Sequence, residues 1–368
     1  MITGNKFKVS NIANLDLDSN VKHKLSLNLQ SILSGRKDVL MTPMAKEFSP
    51  NHLVDEFDKV FEANKSKLNQ VLLDLETANK AKIGPRSIAV SWEDRKQSLI
   101  TSFDSDKIDT FDISVGASGT AKLRPLSLSS ALKLLKNNTN SGLPYYTRKG
   151  IVKQRVLDKF DTLIKRRDPC ILFTRTQEQS KTRNVWGYPM ADTLNEMRYY
   201  SPLLEYQKKL PYRSALISPE EVSRKMTALV LEAVNSEKLL LSIDFSAYDT
   251  TVKSALQKVA FNYIKSQFQA SCSQDIEYIA DRFLNIGIVT PDGVLSGEHG
   301  VPTGSTFTNE VDSIVQSYIF IASNLGSKDR FQVQGDDGVY LLLKALVDEL
   351  INQFELKGLI VNKSKIYS

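Results

Sequence analysis

Phe331-Gln332-Val333-Gln334-Gly335-Asp336-Asp337-Gly338-Val339-Tyr340-Leu341-Leu342-Leu343 is the stretch that decides the fold. Apolar residues on both sides of Gly-Asp-Asp predict a β-hairpin with two carboxylates at its tip. On their own, Asp336 and Asp337 are ordinary turn formers. A second strand-like run, Leu239-Leu240-Leu241-Ser242-Ile243, changes that reading because it ends in Asp244. A carboxylate closing a buried apolar strand is costly unless it is paired or holds a metal. If the two strands lie side by side, Asp244 meets Asp336. Carboxylates so close repel one another unless a cation lies between them, and a pair of Mg²⁺ ions is the usual solution in phosphoryl-transfer sites.

Working outward, the chain of 368 residues is long enough for two or three domains or one multi-lobed enzyme. Its hydrophobic content of 41% and charged content of 24% are those of a globular protein. No apolar run approaches the roughly 20 residues of a membrane span, so no membrane partner is expected. Cys170 and Cys272 are far apart and give no zinc pattern, and His23, His52 and His299 are scattered. The net charge of +6 is local: Arg148 to Arg183 holds eleven Lys/Arg against four Asp/Glu. Such a segment suggests a polyanion partner, or else a solvated helix face.

Ser49-Pro50 is an N-cap followed by proline at the first helical position. Leu53, Val54, Phe57, Val60, Phe61, Leu68, Val71, Leu72 and Leu75 then recur at helical spacing, predicting one long helix that ends before Gly84-Pro85. Residues 86–148 are rich in turn formers. From Pro219 onward strands and helices alternate: a helix over about 219–235, the Asp244 strand, a helix marked by Val252 to Ile264, and a loop with Pro291-Asp292-Gly293. A long helix follows, with Val311, Ile314, Val315, Tyr318, Ile319 and Ala322 on one face, then the hairpin and a last helix around Leu346 to Phe354.

Four elements stand in a specific order. They are Arg175-Thr176-Gln177-Glu178-Gln179-Ser180-Lys181-Thr182-Arg183, Asp244-Phe245-Ser246-Ala247-Tyr248-Asp249, the loop-to-helix entry Gly300-Val301-Pro302-Thr303-Gly304-Ser305-Thr306-Phe307-Thr308-Asn309-Glu310-Val311-Asp312, and Gly335-Asp336-Asp337. Each alone is weak. Together they resemble the viral RNA-dependent RNA polymerases, the right-handed palm, fingers and thumb enzymes. The likeness is strongest to those of double-stranded RNA viruses, picobirnaviruses first and partitiviruses next. It runs from about Ser141 to the last residues.

The resemblance implies an α+β fold with a fingers region and an antiparallel palm sheet. Residues 1–48 would be an N-terminal extension, 49–218 the fingers region, and 219–368 the palm, with a fingers insertion at about 251–290. No segment after the hairpin is long enough for a thumb, so a chain cut short before the thumb is expected. Asp244 and Asp336 would hold two Mg²⁺ (or Mn²⁺) ions, with Asp337 beside them and the Phe245 carbonyl as a further ligand. Lys181, Arg183 and Arg175 would lie over the incoming nucleotide, where cations match phosphate oxygens. Asp249, with Thr308 and Asp312, would read the ribose 2′-hydroxyl, and Asn309 is a second candidate for that task. Thr303-Gly304 forms the loop's hinge, with threonine where many relatives have serine. Ser141-Gly142-Leu143-Pro144 resembles a template-guiding motif, and is equally readable as an ordinary Gly/Pro turn. Lys365, or else Lys363, would protonate the departing pyrophosphate.

The activity implied is template-directed RNA synthesis for viral genome replication and transcription. The partners implied are an RNA template, the product duplex, nucleoside triphosphates and capsid protein, inside a virion or in host cytoplasm. One rival is a reverse transcriptase, which shares the palm but places an aromatic residue where Asp249 stands. The other is a non-catalytic RNA-binding virion protein, which has no use for Asp244, Asp336 and Asp337 together.

Overall fold

The computed structural model describes residues 7–36, 47–80, 88–104, 121–176 and 181–368. They form two compact units. Of the described residues, one unit holds 7–25, 98–104, 121–172 and 186–368, and the other 26–36, 47–80, 88–97, 173–176 and 181–185. The strands are β1 (Lys8–Ser10), β2 (Cys170–Thr176), β3 (Thr182–Gly187), β4 (Lys238–Ile243), β5 (Ile288–Thr290), β6 (Gly293–Ser296), β7 (Gly326–Gln334) and β8 (Asp337–Leu343). They make a five-stranded sheet of order β1-β6-β5-β2-β3 and a three-stranded sheet of order β4-β8-β7.

The three-stranded sheet is antiparallel throughout, as expected for a palm. β8 is its central strand, which suits the continuous run Val339-Tyr340-Leu341-Leu342. One face carries Leu241, Ile243, Phe331, Val333, Tyr340 and Leu342 into the main core. Phe320 of the Thr308–Ser323 helix and Phe354 of the Val347–Leu356 helix pack against Tyr340 there. Helices Pro219–Val234 and Ser254–Gln267 form where the periodicity placed them. Ser218 caps the first, accepting from the Glu221 N–H with Pro219 at the next position.

The loop read at Pro291-Asp292-Gly293 is the turn of a short β5–β6 hairpin, with Thr290 opposite Gly293. Lys8–Ser10 adds to the free edge of β6, so part of the N-terminal extension is structural.

In the other unit, the single long helix expected after Ser49 is two helices, Pro50–Asn64 and Gln70–Lys80. The Asn64 side chain turns back to the Val60 carbonyl, and Asn69 accepts from the Leu72 N–H as the N-cap of a new helix. Val54, Phe57, Val60, Val71, Leu72 and Leu75, which recur at helical spacing, are exposed. Arg95 fixes the strand ends of this unit, donating to Thr174 Oγ1 at 2.7 Å and to Asn184 Oδ1 at 3.0 Å.

The basic segment folds into helices Lys149–Asp158 and Phe160–Arg166. Part of its charge is neutralised within the protein. Arg166 pairs with Asp168 and Asp16, and Arg167 with Asp281. Lys153 donates to the Leu135 carbonyl.

Candidate active site

The hairpin turn is built by Gln334-Gly335-Asp336-Asp337, with Gln334 opposite Asp337. Gly335 has φ of +64°, the value a first central residue takes in a tight II′ hairpin turn and one that glycine adopts without strain. Asp336 is the second central residue. β4 pairs with β8 so that Ile243 faces Gly338. One step further, Asp244 comes level with Asp337 and beside the turn that carries Asp336. Desolvation, then the charges of Asp336 and Asp244, raise the Asp337 carboxyl above the ordinary range.

Asp244 is held from the C-terminal segment. Asn362 brackets it, its N–H donating to the Asp244 carbonyl at 2.9 Å and its Nδ2 to Oδ2 at 3.1 Å. Lys365 Nζ lies 3.3 Å from the same Oδ2. Lys363 instead faces Glu355, so of the two lysines Lys365 is the one at the site. Phe245 is buried between Tyr248 and Phe354 and bridges to Val361.

Asp249 follows Ala247, whose left-handed backbone (φ +51°) turns the chain into a single helical turn, Tyr248–Thr251. The Asp249 carbonyl accepts from the Val301 N–H at 2.6 Å. A Cβ on Gly300 would lie 2.4 Å from that oxygen, so only glycine allows this approach. The glycine loop thereby docks on the Asp249 turn. A Cβ on Gly304 would stand 1.6 Å from the Trp186 carbonyl. Downstream, Asp312 is buried and bonded to Asp249, while its Oδ1 has no partner. Burial, then Asp249 and Asp336, push its pKa well above the usual carboxylate range.

Thr308 uses its hydroxyl inside its own loop, donating to the carbonyls of Pro302 (2.9 Å) and Ser305 (3.0 Å). Asn309 faces the hairpin, accepting from Gln334 Nε2 at 2.8 Å. Thr303 is half-buried in the same loop. Ser141 and Gly142 are buried: Ser141 accepts from the Met190 N–H, and a Cβ on Gly142 would strike the Tyr188 carbonyl. Pro144, half-buried, is the more open member of that motif. Arg175 near the end of β2, Arg183 near the start of β3 and Lys181 just before it are exposed, in the smaller unit. Residues 177–180 of their motif lie outside the described residues.

Three supports had no sequence signal. Glu196, on helix Met190–Gln207, accepts from Ser305 Oγ (2.8 Å) and the Thr306 N–H (2.7 Å), holding the glycine loop. Burial pushes its pKa up to about 7, opposed by those two bonds and reinforced by Asp192. Arg213 and Glu310 form a buried bidentate pair. Gln316 reaches the hairpin turn. Buried polar partners distant in sequence leave no periodic pattern to read.

Among the described residues, no group of three or more acidic, histidine or cysteine side chains is close enough to form a ready-made metal cage. The donors still suit Mg²⁺. It binds one or two carboxylates together with substrate phosphates and water rather than all-protein cages. Asp244, Asp336 and Asp337 supply hard oxygen donors at one sheet end, where burial first, and then the neighbouring carboxylates Asp336 and Asp244, raise the Asp337 carboxyl.

An antiparallel three-stranded sheet with acids at the β4 end and the β7–β8 turn, met by a glycine loop and its helix, defines a nucleotidyl-transferring polymerase palm. The family model described as viral RNA-dependent RNA polymerase matches residues 92–367, and the chain belongs to that family. A potential RNA-dependent RNA polymerase of human picobirnavirus is 25% identical over 92% of this chain and 68% of its own length. An RNA-directed RNA polymerase of Cryptosporidium parvum virus 1 is 24% identical over 56% of this chain and 42% of its own length. Among solved structures, the RNA-dependent RNA polymerase of a human picobirnavirus superposes with a TM-score of 0.78 at 22% identity, covering 96% of this chain and 72% of that one. The activity is therefore RNA-directed RNA polymerisation, and neither the reverse-transcriptase nor the non-catalytic reading is favoured.

Proposed function

We propose that this chain joins ribonucleoside triphosphates to a growing RNA strand at the end of the β4–β8–β7 sheet, with Asp244 and Asp336 as the principal metal-binding residues. The observation that carries this reading is the register that sets Asp244 level with Asp337 and beside the Asp336 turn. Asp244 and Asp336 would hold divalent ions there, which would supply activation of the attacking 3′-hydroxyl and charge compensation for the triphosphate. The carboxylates fix where that charge compensation falls. The 3′-oxygen bonds to the α-phosphorus as the bond to the bridging oxygen of pyrophosphate breaks. Lys365, whose Nζ lies 3.3 Å from Asp244 Oδ2, is the residue that would protonate the departing pyrophosphate oxygen.

The Asp249–Asp312 pair supports ribose selection. The two carboxyl groups, hydrogen-bonded to each other, offer a shared proton and several acceptor oxygens, the partners a 2′-hydroxyl needs. Template pairing chooses the base, so no side chain need read sequence. The exposed lysines of Lys149–Arg166 and the cations Arg175, Lys181 and Arg183 supply phosphate contacts.

Primer extension on RNA and DNA templates, with ribo- and deoxynucleotides, tests the reading. It predicts Mg²⁺-dependent ribonucleotide incorporation on RNA. Efficient deoxynucleotide incorporation, or none of either with wild-type protein, would contradict it.

A further inference from the structure

The Thr308–Ser323 helix is buried on more than its apolar face. Asn309, Ser313 and Gln316 follow one another at i, i+4 and i+7, the spacing of one helical face. All three meet the turn that carries Asp336. The Gly335 N–H donates to Ser313 Oγ at 2.8 Å, and Gln316 Nε2 donates to the Gly335 carbonyl at 2.6 Å. Both backbone groups of the first central turn residue are thus held by side chains of one helix. Asn309 accepts from Gln334, the residue before it.

Gln316 is fully buried, and its carbonyl oxygen accepts from the Tyr340 hydroxyl. The place it fills is kept clear by Gly338, where a Cβ would lie 2.3 Å from Gln316 Oε1. The Gln334–Asp337 pairing closes the turn through its own backbone, and in a two-residue hairpin this leaves the Gly335 N–H and carbonyl without ladder partners. Here a buried amide with no catalytic chemistry of its own is committed to a single glycine next to Asp336.

From this geometry we propose that Gln316, with Ser313, is a positioning residue of the active site: the two fix the Gly335 backbone and thereby the direction in which Asp336 projects toward Asp244. The same helix carries Asp312, which faces Asp249 and lies near Asp336. The clamp therefore ties the metal-side carboxylate to the helix of the glycine loop, and the loop and the hairpin keep one geometry. This rests on Asp336 being a metal-binding residue, as proposed above.

The variants are Gln316→Met and Ser313→Ala, with Tyr340→Phe as the control. Tyr340→Phe removes a hydrogen bond to Gln316 but leaves both Gly335 bonds. Hydrogen–deuterium exchange of peptides covering 331–343, measured without metal, should be faster in the first two variants. Mg²⁺ titration of single-nucleotide incorporation should show half-saturation raised about tenfold or more in both, the scale seen when partners of metal ligands are removed. The KM for nucleotide at saturating Mg²⁺ should stay near wild type, and Tyr340→Phe should show no Mg²⁺ shift. Unchanged exchange in the turn, or Mg²⁺ dependence within twofold of wild type in Gln316→Met and Ser313→Ala, overturns the proposal. An equal Mg²⁺ shift in all three variants also overturns it, by making the role general packing. If wild-type protein incorporates nothing, the polymerase reading fails, and the exchange comparison alone decides whether the clamp exists.

Discussion

Replacing Arg213 by methionine should be among the most damaging single changes to the larger unit. Arg213 and Glu310 are 1% and 0% exposed, and the guanidinium donates to both carboxylate oxygens, at 2.6 and 3.1 Å. It also meets the side-chain oxygens of Gln207 (3.3 Å) and Gln334 (3.5 Å). Methionine fills much of the volume but leaves Glu310 without its cation and without water. Breaking a buried pair from one side costs about 3–5 kcal/mol, because the remaining charge is uncompensated. At roughly 2–4 °C per kcal/mol for a domain of this size, the midpoint should fall by about 10 °C. The double variant Arg213→Met/Glu310→Leu removes both charges and should recover much of the loss, since apolar replacements of a buried pair are often close to neutral. Equilibrium urea unfolding followed by circular dichroism gives each free energy. A loss under about 1 kcal/mol for the single variant, or additive losses in the double, would refute the reasoning.

Three further outcomes follow from the same geometry. Glu196, facing Asp192, Lys149, Tyr188 and Cys170 in a buried site, binds its proton more tightly folded than unfolded, with a pKa of about 7 against 4.5. A raised carboxyl pKa makes stability fall as pH rises from about 4.5 to about 7, by up to about 3 kcal/mol, and level off above; Glu196→Gln should flatten that slope in melts across pH 5–8, and a parallel profile would contradict it. Asp249→Ala should relax selection between ribo- and deoxynucleotides, read as the ratio of kcat/KM values; an unchanged ratio would move the 2′-hydroxyl reader elsewhere. Charge reversal at Lys159 and Lys165, both exposed, should weaken RNA binding across sequences and lower the salt slope by about 1 for each phosphate no longer neutralised, whereas a slope identical to wild type would remove that face from the RNA path.

The hairpin, the Asp244 strand and most palm helices are legible in the sequence because each is a local pattern: alternation around a Gly-Asp-Asp turn, or apolar residues at helical spacing. The meeting of Asp249 with Asp312 follows from family likeness, and the docking of Gly300 on the Asp249 carbonyl gives its physical basis. The departures have physical causes. The apolar spacing of the Pro50 helix continues across Asn64 and Asn69, yet both side chains bond the backbone and split the helix in two. The polar residues of Thr308–Ser323 resemble a solvent face in sequence, but Glu310, Ser313 and Gln316 are buried, bonded to Arg213, Gly335 and Tyr340. Tertiary partners such as these carry no local signature. The basic run is legible as charge, but not as charge partly neutralised by Asp16, Asp168 and Asp281.

The central claim is that Asp244 and Asp336 act together at one sheet end. Single-nucleotide incorporation by Asp336→Asn, against wild type at saturating Mg²⁺ on the same primed RNA, tests it most directly when circular dichroism and the melting midpoint show that the variant is folded. The account predicts a rate loss of at least about a thousandfold, roughly 4 kcal/mol in the transition state, with a melting midpoint equal to or above that of wild type, since a repelling charge is removed. A folded Asp336→Asn variant that incorporates ribonucleotide at close to the wild-type rate would contradict it.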